Sequence, residues 1–408
     1  MEARFPLILD GATGTQLQKR GYTGGICAEQ WVLEHPSVMQ EIQTEYIAAG
    51  TKVLYAPTFG ANRVKLEENR IFNQVEDYNR RLVQVCRQTA GDDAFVAGDL
   101  TSVGKFLLPI GDTSFEELLE IYTEQARALE AAGVDLYAIE TITTLPEARA
   151  ALLAVKSVSD KPVIVTVTCD ANGKMLTGTD VTAALVVIQG MGADAFGLNC
   201  SVGPEDMLAQ IRRLSEYAEV PLIAKPNAGM PEIEDGQTVY KLPPAEFASI
   251  VPALADAGVS IFGGCCGTTD AHIRAIADAA GQARMRRPAP LHPDLLTAAT
   301  EKAVFLLPAD IKCDTVLPAD EDLEDTLDEA CGGDDALIGV RITAEEDLEN
   351  FSDAQYAVTK PLCLFCEDAA LLEEALKLYQ GRALYEGSLP EAALQPLQKM
   401  YGLILPPV

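Results

Sequence analysis

Histidine is nearly missing from this chain: His35, His272 and His292 are the only three in 408 residues. A metal site built on imidazoles is thereby excluded, and acid–base chemistry by histidine has few candidates. Positive charge is scarce as well. The 31 Lys and Arg stand against 61 Asp and Glu, a net charge of −30. Such a surface repels phosphate backbones and anionic lipid, so neither nucleic acid nor a membrane is an expected partner. No apolar run approaches the roughly 20 residues that span a bilayer. The amino-terminal MEARFPLILDGATG has one Arg and a short apolar stretch running into a glycine turn. It lacks a signal peptide's layout, and a cytoplasmic location is expected. The single tryptophan, Trp31, reads as packing.

Ten cysteines are present. In a cytosolic chain they read as thiols or metal ligands before disulfides. Hydrophobic residues make up 48% and charged residues 23%, which is ordinary for a folded chain, and the length favours one large domain plus a smaller one.

Eight short apolar runs punctuate the first 280 residues: 7–15, 52–62, 94–102, 134–141, 162–169, 195–201, 221–229 and 260–268. Each is nearly continuous in apolar residues, as strands buried on both faces are. Helical patterns lie between them. Residues 36–49 open at Pro36 and close before Gly50, 114–132 open with acids and end at Gly133, and 244–257 follow two prolines and end at Gly258. Repeated βα units predict an α/β fold, a (β/α)8 TIM barrel over residues 1–282, with a doubly wound open sheet as the alternative. Residues 283–299, rich in Pro and Arg at their start, read as a linker, and 300–408 as a smaller C-terminal α/β domain with strands near 302–308, 336–342, 361–366, 382–386 and 402–405. Within it, 320–335 is dense in acids, with Leu323 and Leu327 one helical turn apart, the pattern of an amphipathic helix with a solvated acidic face.

Active sites of such barrels form at the C-terminal ends of the strands. The expected strand ends carry Asp10-Gly11-Ala12, Thr58, Asp99, Glu140-Thr141, Cys169-Asp170, Asn199-Cys200, Lys225-Pro226-Asn227 and Cys265-Cys266. Cys200, Cys265 and Cys266 thus converge on one rim. Three thiolates suit Zn²⁺ and leave a fourth position open, the layout of a catalytic site, whereas the plain alternative is three small buried hydrophobes. Zinc held by thiolates is a weak activator of water but binds an incoming thiol as thiolate, a nucleophile that needs no histidine base. Asp10 and Glu140 suit an ammonium, and the Gly11–Ala12 backbone offers N–H groups to a carboxylate.

The motifs DGATGTQL, APTFGANR, GLNCSVGP, KPNAG and GGCCGTT resemble the homocysteine S-methyltransferase family over residues 5–280. That family includes the homocysteine module of cobalamin-dependent methionine synthase, betaine–homocysteine methyltransferase and the S-methylmethionine enzymes. The resemblance implies zinc on Cys200, Cys265 and Cys266, with Asn227 approaching the metal when the thiol is absent. It implies amino-acid contacts at Asp10, Gly11, Ala12 and Glu140, to which we add Asn199. The implied activity is methyl transfer to the thiol of homocysteine, giving methionine. The donor is a methylcorrinoid protein or a methylfolate-linked system, with methylcobalamin supplied by a partner. S-methylmethionine or betaine as donor, another thiol as acceptor, or a non-catalytic zinc- and thiol-binding subunit are the alternatives. Residues 300–408 are similar to parts of the pterin-binding barrel of methionine synthase in ALIGVRI and KLYQGRALYEGSLPEA, which implies a shortened relative of it.

Lys225 stands where an aldolase places a Schiff-base lysine, but beside the thiolates it reads as their counter-charge instead. Cys363 and Cys366 form a C-x-x-C inside an expected strand rather than at a helix start, and read as structural thiols. Cys27, Cys86, Cys313 and Cys331 show no partner pattern.

Overall fold

The computed structural model describes residues 5–108, 110–234 and 237–406. It divides into two compact units, residues 1–176 with 193–289, and 177–192 with 290–408.

The first unit is a parallel barrel. Its strands are β1 (Leu7–Ile8), β2 (Val53–Tyr55), β3 (Phe95–Leu100), β4 (Leu136–Ile142), β5 (Val163–Val167), β6 (Ala195–Asn199) and β7 (Leu222–Lys225). A short antiparallel hairpin follows, β8 (Glu232–Glu234) and β9 (Gln237–Val239), and then the eighth barrel strand, β10 (Val259–Phe262). The order round the sheet is β1-β10-β7-β6-β5-β4-β3-β2. A lone parallel bridge, Leu9 to Val53, brings the first and last strands together, supported by Lys52 N–H donating to the Ile8 carbonyl at 2.8 Å. The expected (β/α)8 architecture is therefore present.

Side chains alternate across a strand. One set fills the barrel: Leu9, Val53, Tyr55, Ala97, Leu136, Ala138, Ile164, Ala195, Ile223 and Ile261 pack as a single buried cluster. Two residues further along their strands, the same alternation brings Asp99, Glu140, Thr166 and Lys225 to the catalytic end of the barrel interior. The core is thus apolar below and polar above.

Helix signals in the sequence match local physics. The Ser114 side chain accepts from Glu117 N–H and caps Phe115–Ala132, which stops at Gly133 in the left-handed region. Pro36 opens Pro36–Ala48. The expected helix over 244–257 is instead two short ones, Pro244–Ser249 and Val251–Asp256. Pro252, at the start of the second, has no N–H to continue the first.

The second unit holds a four-stranded parallel sheet in the order β13-β14-β15-β16. It is preceded by an antiparallel pair, β11 (Leu296–Ala299) and β12 (Val304–Leu307). The sheet strands are β13 (Thr315–Pro318), β14 (Ile338–Arg341), β15 (Leu362–Phe365) and β16 (Leu384–Glu386). Expected strands near 302–308, 336–342, 361–366 and 382–386 are found. The one near 402–405 is a single bridge, Leu384 to Ile404, and β13 was not anticipated. β11 falls inside the segment read as a linker: four residues of modest hydrophobicity become a strand because β12 pairs with them. Leu323 and Leu327 are fully buried on the helix Leu323–Gly332, whose acids face outward as the sequence implied. The helix Val181–Gly190, which follows β5 in the chain, belongs to this unit. Among the described residues no helix is long and apolar enough to cross a membrane.

Candidate metal and substrate site

Cys200 lies just past β6, and Cys265 and Cys266 lie just past β10. Their three sulfurs fall within 4.8 Å of one another, and Cys200 Sγ is 3.9 Å from Cys266 Sγ. Among the described residues no other set of three His, Cys, Asp or Glu meets that geometry. A tetrahedral zinc with bonds of about 2.3 Å would hold two sulfurs about 3.8 Å apart, so the trio fits that ion. The thiols also share charge. The Cys265 and Cys266 thiols, donating to Cys200 Sγ, hold Cys200 well below the ordinary thiol range, and both donors are raised in return.

The backbone is bent to bring this about. Cys200 and Ser201 have φ of 58° and 57°, and Thr141, after Glu140, has 59°. Left-handed conformations in residues with a Cβ cost about 1–3 kcal/mol each and gather at functional sites. Asn199 ties the two bends together. Its Oδ1 accepts from Thr141 N–H at 3.0 Å, its Nδ2 donates to Thr141 Oγ1 at 2.7 Å, and the same Nδ2 lies 3.8 Å from Cys265 Sγ. Cys200 N–H donates to the Lys225 carbonyl at 3.1 Å.

The cysteine loop after β10 is set by close packing. Gly267 has φ of +82°, and a Cβ there would lie 2.3 Å from Tyr240 Cβ. Tyr240 follows the β8–β9 hairpin, and burial together with the nearby Cys266 thiol pushes its hydroxyl up. Thr268 Oγ1 donates to the Cys265 carbonyl at 2.7 Å and accepts from Ala12 N–H at 3.0 Å. The Ala12 amide is therefore engaged within the chain. Tyr46 Oη donates to the Ala12 carbonyl at 2.7 Å and sits where a Gly11 side chain would. Asn227, on the loop after β7, is among the groups that hold the Cys200 thiol low, and its Oδ1 is buried without a partner among the described residues. Cys169 is buried and outside the group.

Beneath the sulfurs lies a buried charge cluster. Lys225 Nζ is 2.7 Å from Glu140 Oε2, 3.8 Å from Asp10 Oδ1 and 3.7 Å above the Tyr55 ring. Burial works against its charge, but Glu140, Tyr55 and Asp10 outweigh that and keep Lys225 firmly protonated. A Schiff-base lysine needs the opposite shift. Its ammonium also faces the two carboxylates rather than the sulfurs. Burial pushes the Asp10 carboxyl up to about 7, although Lys225 opposes this and Tyr55 N–H donates to its Oδ2 at 2.8 Å. Asp99 is raised well above the usual carboxylate range, by burial first and Glu140 second.

All the sequence-derived candidates thus sit at one end of the barrel. Sequence reasoning passed over Tyr240 and Tyr55, neither of which belongs to a chemical motif, and named Thr141 only as a strand end. It listed Asp99 only as a strand end, although the two-residue step from Ala97 was a signal of where it faces.

The homocysteine S-methyltransferase family profile matches residues 7–280. Methionine synthase of Mycobacterium leprae is 33% identical over 297 residues, which are 68% of this chain and 24% of that protein. The Mycobacterium tuberculosis enzyme is 33% identical over 302 residues, 69% of this chain and 25% of its own length. The chain thus spans about a quarter of the length of these relatives. Among solved structures, the homocysteine methyltransferase MmuM from Escherichia coli shares the fold. Its metallated form has a TM-score of 0.57 at 22% identity, covering 68% of this chain and 97% of that one, and its oxidized form 0.56 at 23%, covering 67% and 95%. A profile running from the first barrel strand to the helix after the eighth, on a barrel whose rim gathers three thiols, places this chain in the homocysteine S-methyltransferase family.

Proposed function

We propose that the barrel binds zinc on Cys200, Cys265 and Cys266 and transfers a methyl group to the thiol of homocysteine, giving methionine. The observation that carries this is the convergence of three sulfurs at tetrahedral spacing above a cluster of carboxylates. Bound there, zinc supplies a Lewis acid that stabilises a thiolate near neutral pH. The chain's own residues do the rest. Asp10 and Glu140 grip the α-ammonium, and the Gly11–Ala12 turn faces the α-carboxylate. Asn199 holds the Glu140–Thr141 and Cys200 turns in register. Asn227, whose amide oxygen is buried and unpartnered, would hold the ion alongside the cysteines when no thiol is present. The match to methionine synthases supports a methyl group carried on a corrinoid protein as the donor.

The test is calorimetric titration of homocysteine into zinc-loaded and zinc-stripped protein, followed by single-turnover demethylation of methylcobalamin. Zinc-dependent binding and methionine formation are expected; binding indifferent to zinc would overturn the reading. The Asp10 carboxyl, raised to about 7, is neutral below that pH and grips an ammonium poorly. Methionine, which has the ammonium but no free thiol, should therefore bind more tightly as pH rises from 6 to 8. Asp10→Asn should flatten that rise by about tenfold at the upper end.

A further inference from the structure

In the proposed site the two carboxylates assigned to the substrate ammonium already have a cation. Lys225 is 2% exposed, with Nζ 2.7 Å from Glu140 and 3.8 Å from Asp10. A second ammonium brought beside a fixed one, away from water, is repelled unless another anion is there. Asp99 is that anion. It lies two residues beyond Ala97 of the barrel core, on the strand next to that of Glu140, and it is 4% exposed. Its backbone is held by Thr58, whose Oγ1 accepts from Asp99 N–H at 3.0 Å and is within donor range of the Asp99 carbonyl at 2.9 Å. Its side chain is not so held: Oδ1 has no hydrogen-bond partner among the described residues.

Nor is it alone. Tyr55 Oη and Thr166 Oγ1 are likewise buried and unpartnered, and both belong to residues that alternation turns inward. Buried polar atoms are nearly always satisfied, and a group of unsatisfied ones at the polar end of a barrel is what a polar ligand completes. Three carboxylates facing one lysine form a seat for two cations, one of which the protein supplies itself.

Resting on the homocysteine reading, we propose that Asp99 is a specificity-determining residue. It pairs with the substrate's α-ammonium and so admits an amino-acid thiol to a site that already contains Lys225. Burial and Glu140 hold the Asp99 carboxyl above the ordinary carboxylate range, and an ammonium beside it favours the carboxylate. The titratable groups facing Asp99 are Glu140, Lys225, Asp10 and Glu29, with Tyr55 on the neighbouring strand.

The experiment compares homocysteine with 4-mercaptobutyrate, the same thiol acid without the amino group, on zinc-loaded full-length protein. Wild type should prefer homocysteine. Asp99→Asn should weaken homocysteine by about tenfold or more and leave 4-mercaptobutyrate within about twofold, with zinc content unchanged. Adding Lys225→Met to Asp99→Asn should restore most of the homocysteine affinity, because the resident cation is gone; a merely structural Asp99 would show no such rescue. Equal loss of both thiols, or an unchanged preference, overturns the proposal while leaving the homocysteine reading intact. Failure of wild type to bind homocysteine overturns both. Should Asp99→Asn not fold, Asp99→Ser takes its place in the same comparison of the two thiols, with the same expected and overturning outcomes.

Discussion

Two groups of three cysteines, one in each unit, are made of the same side chain and do opposite things. Cys200, Cys265 and Cys266 stand on loops, partly open to solvent, with their sulfurs aimed at a common point. Cys313, Cys363 and Cys366 lie in and around the small parallel sheet. Cys313 packs against Cys363 in the core of that unit and sits 3.3 Å from the Thr315 carbonyl, while Cys366 Sγ donates to the Asp368 carbonyl at 3.2 Å. There the sulfurs are absorbed one by one into backbone hydrogen bonds and apolar packing. Cys363 is pushed up by the Cys313 thiol and by burial. Closeness of cysteines is thus not what makes a metal site. What matters is that the sulfurs are left facing each other, at the expense of a strained backbone.

The contrast is sharpest for zinc. Cys266→Ser or Cys200→Ser should reduce zinc from about one equivalent to nearly none, whereas Cys363→Ser should keep it in full; elemental analysis after dialysis decides. Thiol chemistry should separate the groups next. In zinc-stripped protein at about pH 6, Cys200 persists as thiolate because its pKa is lowered, while Cys363 remains a buried thiol because its own is raised. Iodoacetamide labelling followed by peptide mapping should therefore favour Cys200 by at least about a hundredfold. Comparable rates would break the comparison. The smallest effect runs the other way. Cys363→Ser buries a hydroxyl in the second unit's core and should cost about 1–3 kcal/mol of that unit's stability. Cys266→Ser, half-exposed, should cost less. Denaturant melts of the zinc-stripped variants measure both.

The barrel was legible because its physics is local. Continuous apolar runs mark strands buried on both sides, and Ser114, Gly133 and Pro36 mark helix ends through backbone groups close in sequence. The thiol trio was legible through two motifs and the rule that barrel sites sit at strand ends. What escaped is long-range. Nothing near Asn199 announces that its amide will clasp Thr141, 58 residues earlier. Cys313 and Cys363 meet only because β13, β14 and β15 lie side by side in register, a pairing no short window contains. β11 has little strand character and exists through its partner. The left-handed turns at Thr141, Cys200 and Ser201 ran against residue preference, and they are where local consistency is given up for the site.

The barrel closes through one backbone bridge, between Leu9 and Val53, at a first strand only two residues long. Seven of its joints are ladders and the eighth is a clasp. A hoop opens at its clasp, so the Lys52 amide, which crosses it to the Ile8 carbonyl, should exchange with deuterium before the Leu9 amide, which donates to the Phe262 carbonyl on the β10 side. Asp10 and Gly11 follow the clasp directly. A ligand held between Asp10 on one side and Glu140 on the other spans the hoop, and filling the site fastens it.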